Sequence, residues 1–248
     1  MAKSFRAKRN IKINITRFRE RESNPSEAIG PVTFKISAIL IAMMLPLIVT
    51  LFAANVVFRM PDLYSFEFDR SEIAQEVGID VSAKKMSSTI SNFMLHKTDE
   101  FSLIAEYKGK DTPILSITDA VRMEKIRGLM DTTFVIWCII TPLSLVLFIL
   151  TLLFGKKKHL KYACRVSVVI YFVLLLAFAY VAATDGIRHK LTEMFLGADA
   201  GAGGLFPQLF TNYFRFEAAA ATFVISAIFL GILISICRRF YKETNMFG

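Results

Sequence analysis

Four long apolar runs constrain this chain more than anything else in it. They cover residues 31–58, 132–154, 166–183 and 218–237. Each approaches or exceeds the roughly 20 residues that a helix needs to cross a hydrocarbon core. A backbone inside lipid must satisfy its own polar groups, so runs of this length and composition are read as helices. The fold class that follows is an all-α polytopic membrane protein with four transmembrane helices. Composition agrees: 54% of the residues are hydrophobic and the mean hydropathy is +0.48, too apolar for an ordinary soluble domain. The first run lies behind a thirty-residue polar tail and ends at Asn55–Arg59 without a small-residue cleavage pattern, so it is read as a span rather than a cleaved signal.

Charge orients the spans. Residues 1–30 hold eight Lys/Arg and three Asp/Glu, 155–165 hold five and none, and 238–248 hold three and one. The opposite side, 59–131 and 184–217, holds 13 basic against 17 acidic residues. The positive-inside rule then places both termini and the middle loop in the cytoplasm, N-in and C-in, with the protein in the plasma membrane. On this reading the net charge of +9 is mostly a topology signal, and no nucleic-acid partner is expected. Residues 1–30 are a basic cytoplasmic tail. Ile11, Ile13 and Ile15 alternate within it and suit contact with the inner leaflet. Cys138, Cys164 and Cys237 lie in or at the ends of spans, outside any metal-ligand or disulfide spacing.

Between the first two spans, residues 59–131 form a small extracytoplasmic α+β piece. RMPDLYSFEFD opens it, with Tyr64, Phe66 and Phe68 alternating, which suits an extended stretch or rings resting on the membrane interface. A helix follows, capped by Asp80 or Ser82, with Met86, Ile90, Phe93 and Met94 as its apolar face. FSLIAEYKGKDTPILSI reads as a hairpin that turns at Lys108-Gly109-Lys110-Asp111. Leu115–Met130 then reads as an amphipathic helix leading into the second span. Ser116 is its N-cap, and Asp119 sits at the positive helix end. Val121, Met123, Ile126, Leu129 and Met130 supply the apolar face, while Arg122, Lys125 and Arg127 suit snorkelling to lipid phosphates. Pro46 and Pro142 each remove a backbone donor inside a span and predict kinks.

The second outer loop, 184–217, predicts a short amphipathic helix on Ile187, Leu191, Met194 and Phe195, a flexible GADAGAGG turn and an aromatic LFPQLFTNYFRF. Arg215 and Glu217 suit interfacial anchors or a local ion pair at the mouth of the last span. No glycine-rich nucleotide loop or Ser-His-Asp spacing is present, and neither cofactor nor metal is expected. His96 and His189 both fall on the outer side, where they could meet as an acid–base pair; His96 as a helix-end residue and His189 as an interface residue is the simpler reading.

The order of parts resembles the Lit-type lipoprotein intramolecular transacylases, four-span bacterial membrane proteins. LSITDAVRMEKIRGLM resembles their signature before span two, a Ser-x-x-Glu/Asp start running into His-Met-x-Asp-Val-Lys-x-Leu. Ser116, Asp119, Met123, Ile126, Arg127 and Leu129 fall in register with it. KLTEMFLG…LFPQLF resembles the second signature through Leu191, Glu193, Phe195 and Pro207. FRMPDLYSFEF resembles the family's aromatic exit from its first helix and EVGIDVSAKKMSSTISNFML the segment that follows it, and the likeness covers residues 36–235. The resemblance implies migration of an O-linked fatty acid on a lipoprotein's diacylglyceryl-cysteine to the cysteine amine, served by two histidines. Here Arg122 and Thr192 occupy those two positions. Arginine stays protonated and cannot act as a base, and threonine has no useful pKa at neutral pH. The expectation is therefore a divergent relative that binds an acylated ligand, lipid or lipoprotein at the outer leaflet without transacylase activity. Arg122, Thr192, Glu193 and Arg127 are its ligand-binding candidates. The alternatives are an active enzyme using His189 or His96 in a shifted site, and an accessory subunit held by other membrane subunits.

Overall fold

The computed structural model describes residues 31–71, 81–102, 104–107, 110–113, 116–196 and 212–242. Within them the elements run α1 (Pro31–Val57), α2 (Pro61–Ser71), α3 (Ala83–Met94), β1 (Ile104–Tyr107), β2 (Lys110–Pro113), α4 (Ile117–Phe154), α5 (Lys157–Ala183), α6 (Asp185–Leu196) and α7 (Asn212–Lys242). The chain is mostly helical. Four helices are long and apolar enough to cross a membrane, over Thr33–Val57, Ile117–Phe154, Lys157–Val181 and Phe214–Phe240. The basic tail, Asp80, the centre of the Lys108–Asp111 turn, GADAGAGG and Pro207 lie outside the described residues.

α1 is the hub of the bundle and touches α4, α5 and α7. Ala38, Ile41, Ala42, Leu45, Val49, Ala53 and Val57 recur at helical spacing and are all buried. Alanine at Ala38, Ala42 and Ala53 lets neighbouring backbones approach closely, which matters where lipid removes the hydrophobic drive between helices. Leu230 of α7 and Ala163 and Tyr171 of α5 complete that core. The Tyr171 hydroxyl lies 2.7 Å from the Phe223 carbonyl and 2.8 Å from Ser226 Oγ, a polar tie between α5 and α7. Many apolar side chains of α4 and α5, such as Ile139, Leu153, Val169 and Leu176, remain exposed and form the surface a bilayer would cover.

The helices outrun their apolar stretches. α4 carries the amphipathic segment and the second span as one helix through Pro142, and α1 is continuous through Pro46. α5 begins at Lys157, so only Gly155 and Lys156 separate α4 from α5 where the sequence suggested a loop over 155–165. Lysine-rich turns can remain helical past the apolar run because their side chains are solvated.

A second core joins the helix ends to α2 and α3. It contains Val57, Tyr64, Phe68, Met86, Ile90, Phe93, Met94, Phe101, Met123, Met130, Phe214 and Ala218. α3 follows the sequence closely. Ser82 is its N-cap, accepting from the Lys85 amide, and its expected apolar face is buried. The extended reading of 61–71 is corrected. This stretch is α2, whose Tyr64 and Phe68 are four apart and buried while Phe66 faces out. Three aromatics at a spacing of two fit either period, and the fourfold pair found a core to fill. β1 and β2 pair antiparallel, with Ile104 opposite Pro113 and Tyr107 opposite Lys110.

Candidate functional site

The start of α4 is built around one carboxylate. The Ser116 side chain accepts from the Asp119 amide at 3.1 Å, and Asp119 Oδ2 accepts from the Ser116 amide at 3.2 Å and the Ser116 hydroxyl at 2.7 Å. This is a reciprocal capping box. The other oxygen, Oδ1, faces Arg122 Nη1 at 3.6 Å, one turn along. Asp119 is 1% exposed and Arg122 3% exposed. One side chain thus caps the start of the helix and faces a buried guanidinium.

This corrects the snorkelling arginine. The buried stripe of α4 runs through Asp119, Arg122, Met123 and Met130, with Ile126 and Leu129 packed against the core, while Val121 is exposed. Hydropathy alone rotated the face by about one residue, because it had no reason to place a charged pair inside. Lys125 stays exposed. Arg127 lies over the Phe93 ring at 4.0 Å and donates toward the Thr98 carbonyl at 3.5 Å, so it fastens α4 to α3.

A second charged group nearby escaped sequence reading. Glu67 on α2 is 1% exposed, and Arg70 pairs with both Glu67 and Glu217 of α7. Glu217 stands at the mouth of the last span, but its partner is Arg70, 147 positions away, not Arg215. The only available signal was the spacing of Glu67 three after Tyr64 on one helix face. Tyr64 anchors that face. Its ring stacks on Phe214 at 5.3 Å, its hydroxyl donates to the Phe58 carbonyl at 2.8 Å, and burial pushes its phenol well above the ordinary range. Tyr64, Met123 and Phe214 share one core, so Arg122 and the Glu67–Arg70–Glu217 group border the same packed region.

The histidines go elsewhere. His96 follows α3 with a left-handed φ of 55°, a conformation in which most non-glycine residues are rare. Its Nε2 lies 2.8 Å from Asp131 Oδ2, and Arg59 Nη2 binds the other oxygen of Asp131 at 2.9 Å. His189 is exposed on α6 and sits 3.4 Å from Glu193. Each imidazole therefore has its own carboxylate, and the pairing of His96 with His189 is replaced by two separate His–carboxylate pairs. Thr192 donates to the Arg188 carbonyl at 2.9 Å, as threonines in helices commonly do. Leu191, Met194 and Phe195 are exposed, with Ile187 half-buried. α6 touches α4. Among the described residues no group of three His, Cys, Asp or Glu is arranged to hold a metal.

Two clefts flank this region. An apolar one of roughly 440 Å³ is lined by Val57, Met60, Leu63, Phe66, Ala221 and Ile225, with Glu217 at its edge. A polar one of roughly 450 Å³ lies between α2 and α3, lined by Asp62, Ser65, Asp69, Lys84 and Ser88.

Comparisons with known proteins bear on this geometry. The family model of the lipoprotein intramolecular transacylase Lit matches residues 39–185. Among solved structures, the membrane integral lipoprotein intramolecular transacylase Lit from Bacillus cereus is similar. One structure, of a histidine-to-arginine variant, superposes with a TM-score of 0.66 at 14% identity and covers 87% of this chain and 95% of that one. A histidine-to-alanine variant gives 0.66 at 13%, covering 86% and 96%. A third structure gives 0.62 at 13%, covering 86% and 98%. At these identities the likeness is one of fold. No curated protein matches the chain.

Proposed function

Because the chain belongs to the family of lipoprotein intramolecular transacylases, we propose that it binds an acylated ligand, lipid or lipoprotein, at the outer leaflet without carrying out acyl transfer. The observation that carries this is Arg122. At the family's first histidine position, as the resemblance aligns it, stands a buried guanidinium held by Asp119. Acyl migration from oxygen to nitrogen needs a base for the attacking amine and an acid for the leaving alkoxide. A guanidinium supplies no base, and Thr192 spends its hydroxyl on a backbone carbonyl. What Arg122 carries is a guanidinium, the group suited to a carboxylate or phosphate. Glu193 and Arg127 complete the proposed ligand-binding group, and the apolar cleft beside Glu217 suits an acyl chain.

On this reading 59–131 and 184–217 are extracytoplasmic, the former holding α2, α3 and the β1–β2 hairpin as a small α+β piece. Both termini and the α4–α5 turn are cytoplasmic, in a plasma membrane. A second reading, an active enzyme with a displaced histidine, is favoured by one contact: His96 Nε2 at 2.8 Å from Asp131, the arrangement that orients an imidazole base.

The test is co-expression with a diacylated lipoprotein in a host lacking its own transacylase, the Bacillus cereus enzyme serving as positive control. Mass spectrometry of the lipoprotein should show no shift to the lyso-form with this chain inserted. The lipoprotein should co-purify with the wild type and less with Arg122→Gln. A lyso-form that disappears in His96→Ala or His189→Ala would replace the binding reading with the catalytic one.

A further inference from the structure

One end of the bundle carries positive charge and, among the described residues, no carboxylate. α1 begins there at Pro31, α4 ends there at Phe154, α5 begins at Lys157 and α7 ends at Lys242. Residues 31–61, 132–184 and 218–242 contain no Asp or Glu. Eight Lys and Arg side chains of this end are exposed, from α1, from the α4–α5 turn with the opening turns of α5, and from α7. The adjoining segments 1–30 and 243–248 together hold eight basic and four acidic residues, so they do not offset the charge.

The charges also converge in space. Lys35 of α1, Lys156 and Lys158 stand close enough to the His159 imidazole to act on it electrostatically, and Arg238 of α7 acts in the same way on Cys164 of α5. Three segments far apart in the chain thus present one cationic face. Both α1 and α5 begin here, so the positive ends of their dipoles add to the side chains. Orientation in the membrane needs only that basic residues lie on one side; it does not need Lys35 to stand beside His159. Like charges held together oppose the compact state unless something of opposite sign neutralises them, and the described residues offer nothing of that sign here.

Next to the charges the surface is apolar and aromatic. Ile36, Leu153, Tyr162 and Phe240 are all exposed, on helices that are long and apolar enough to cross a membrane. A water-soluble polyanion would match the charges and leave this collar uncovered, whereas a phospholipid matches both with one molecule. We propose that this face binds anionic glycerophospholipids of the leaflet it meets. Lys35, Lys156, Lys158 and Arg238 gather on the phosphate headgroups, and the acyl chains lie against the collar. The lysines and arginines are exposed, so a headgroup reaches them without entering the protein.

For the test, the full chain is reconstituted in dioleoyl phosphatidylcholine vesicles. Electron spin resonance then compares how much spin-labelled phosphatidylglycerol and phosphatidylcholine is motionally restricted at the protein surface. Each Lys or Arg near an anionic surface contributes a factor of roughly five, so phosphatidylglycerol should be preferred at least about fivefold at low salt. Most of that preference should vanish in 1 M salt, where the screening length is about 3 Å. Replacing Lys35→Gln, Lys156→Gln and Lys158→Gln together should lower the preference at least about threefold. The matching triple Lys35→Arg, Lys156→Arg and Lys158→Arg should keep it. So should Lys84→Gln, Lys97→Gln and Lys190→Gln, which remove the same charge from exposed positions elsewhere. No preference in the wild type, a preference indifferent to salt, or equal effects of the two glutamine triples would overturn the proposal. The salt series needs no variant, so a triple that fails to fold leaves the test intact. Arg122 stands thirty-two residues before Phe154, roughly 48 Å along α4 at 1.5 Å per residue, so lipoprotein capture there and lipid preference here fail separately.

Discussion

At the scale of single residues, Asp119 combines two duties, and substitution separates them. Ser116→Ala removes the cap alone and should cost about 1 kcal/mol. Asp119→Ala keeps the Ser116 side chain on the amide of residue 119 but removes the reciprocal half of the capping box and the carboxylate beside a guanidinium that is 3% exposed. Breaking a buried ion pair costs about 3–5 kcal/mol. Thermal unfolding in detergent should therefore rank the second variant well below the first; equal losses would mean that Arg122 does not depend on Asp119. The sequence located this helix start to the residue, since a cap is a local pattern of four positions. It missed the burial of Arg122, because hydropathy assigns every arginine to water and only a nearby carboxylate in the folded state reverses that.

At the scale of elements, α3 packs into the second core, apart from the core of the spans. Phe93 is buried, meets Phe101 at 5.1 Å and carries Arg127 above its face. Ser91 Oγ donates to the Arg59 carbonyl at 2.7 Å. The spans have their own core around Ala38, Ile41 and Leu230. Phe93→Ala should cost about 3–5 kcal/mol locally and release α3 while leaving the bundle intact. Hydrogen exchange would show protection lost across residues 83–94 and kept across α1; loss in both would mean one cooperative unit. The amphipathic pattern of α3 was legible because its burial is one-sided and regular. α2 was less so, since its three aromatics fit two periods and its buried Glu67 depends on Arg70.

At the scale of the whole molecule, charge asymmetry should set the orientation. With both termini inside, Glu100→Cys should react with a membrane-impermeant maleimide on intact cells, and Lys157→Cys should react only after lysis. The opposite pattern would reverse the topology and, with it, the leaflet on which Arg122 acts.

The sequence by itself determined the four membrane helices, the cap of α4 and the apolar face of α3. Each depends on residues close together along the chain: enough apolar length to cross lipid, a Ser–Asp pair three apart, a helical period. Tertiary structure decided the rest. Arg70 reaches Glu217 across 147 positions. Asp131 gathers Arg59 and His96 from two other segments. Arg122 turns inward beside Asp119. Those contacts follow from how α4 and α7 are rotated against α1 and α2, and rotation is fixed only when side chains of several helices fill one core together.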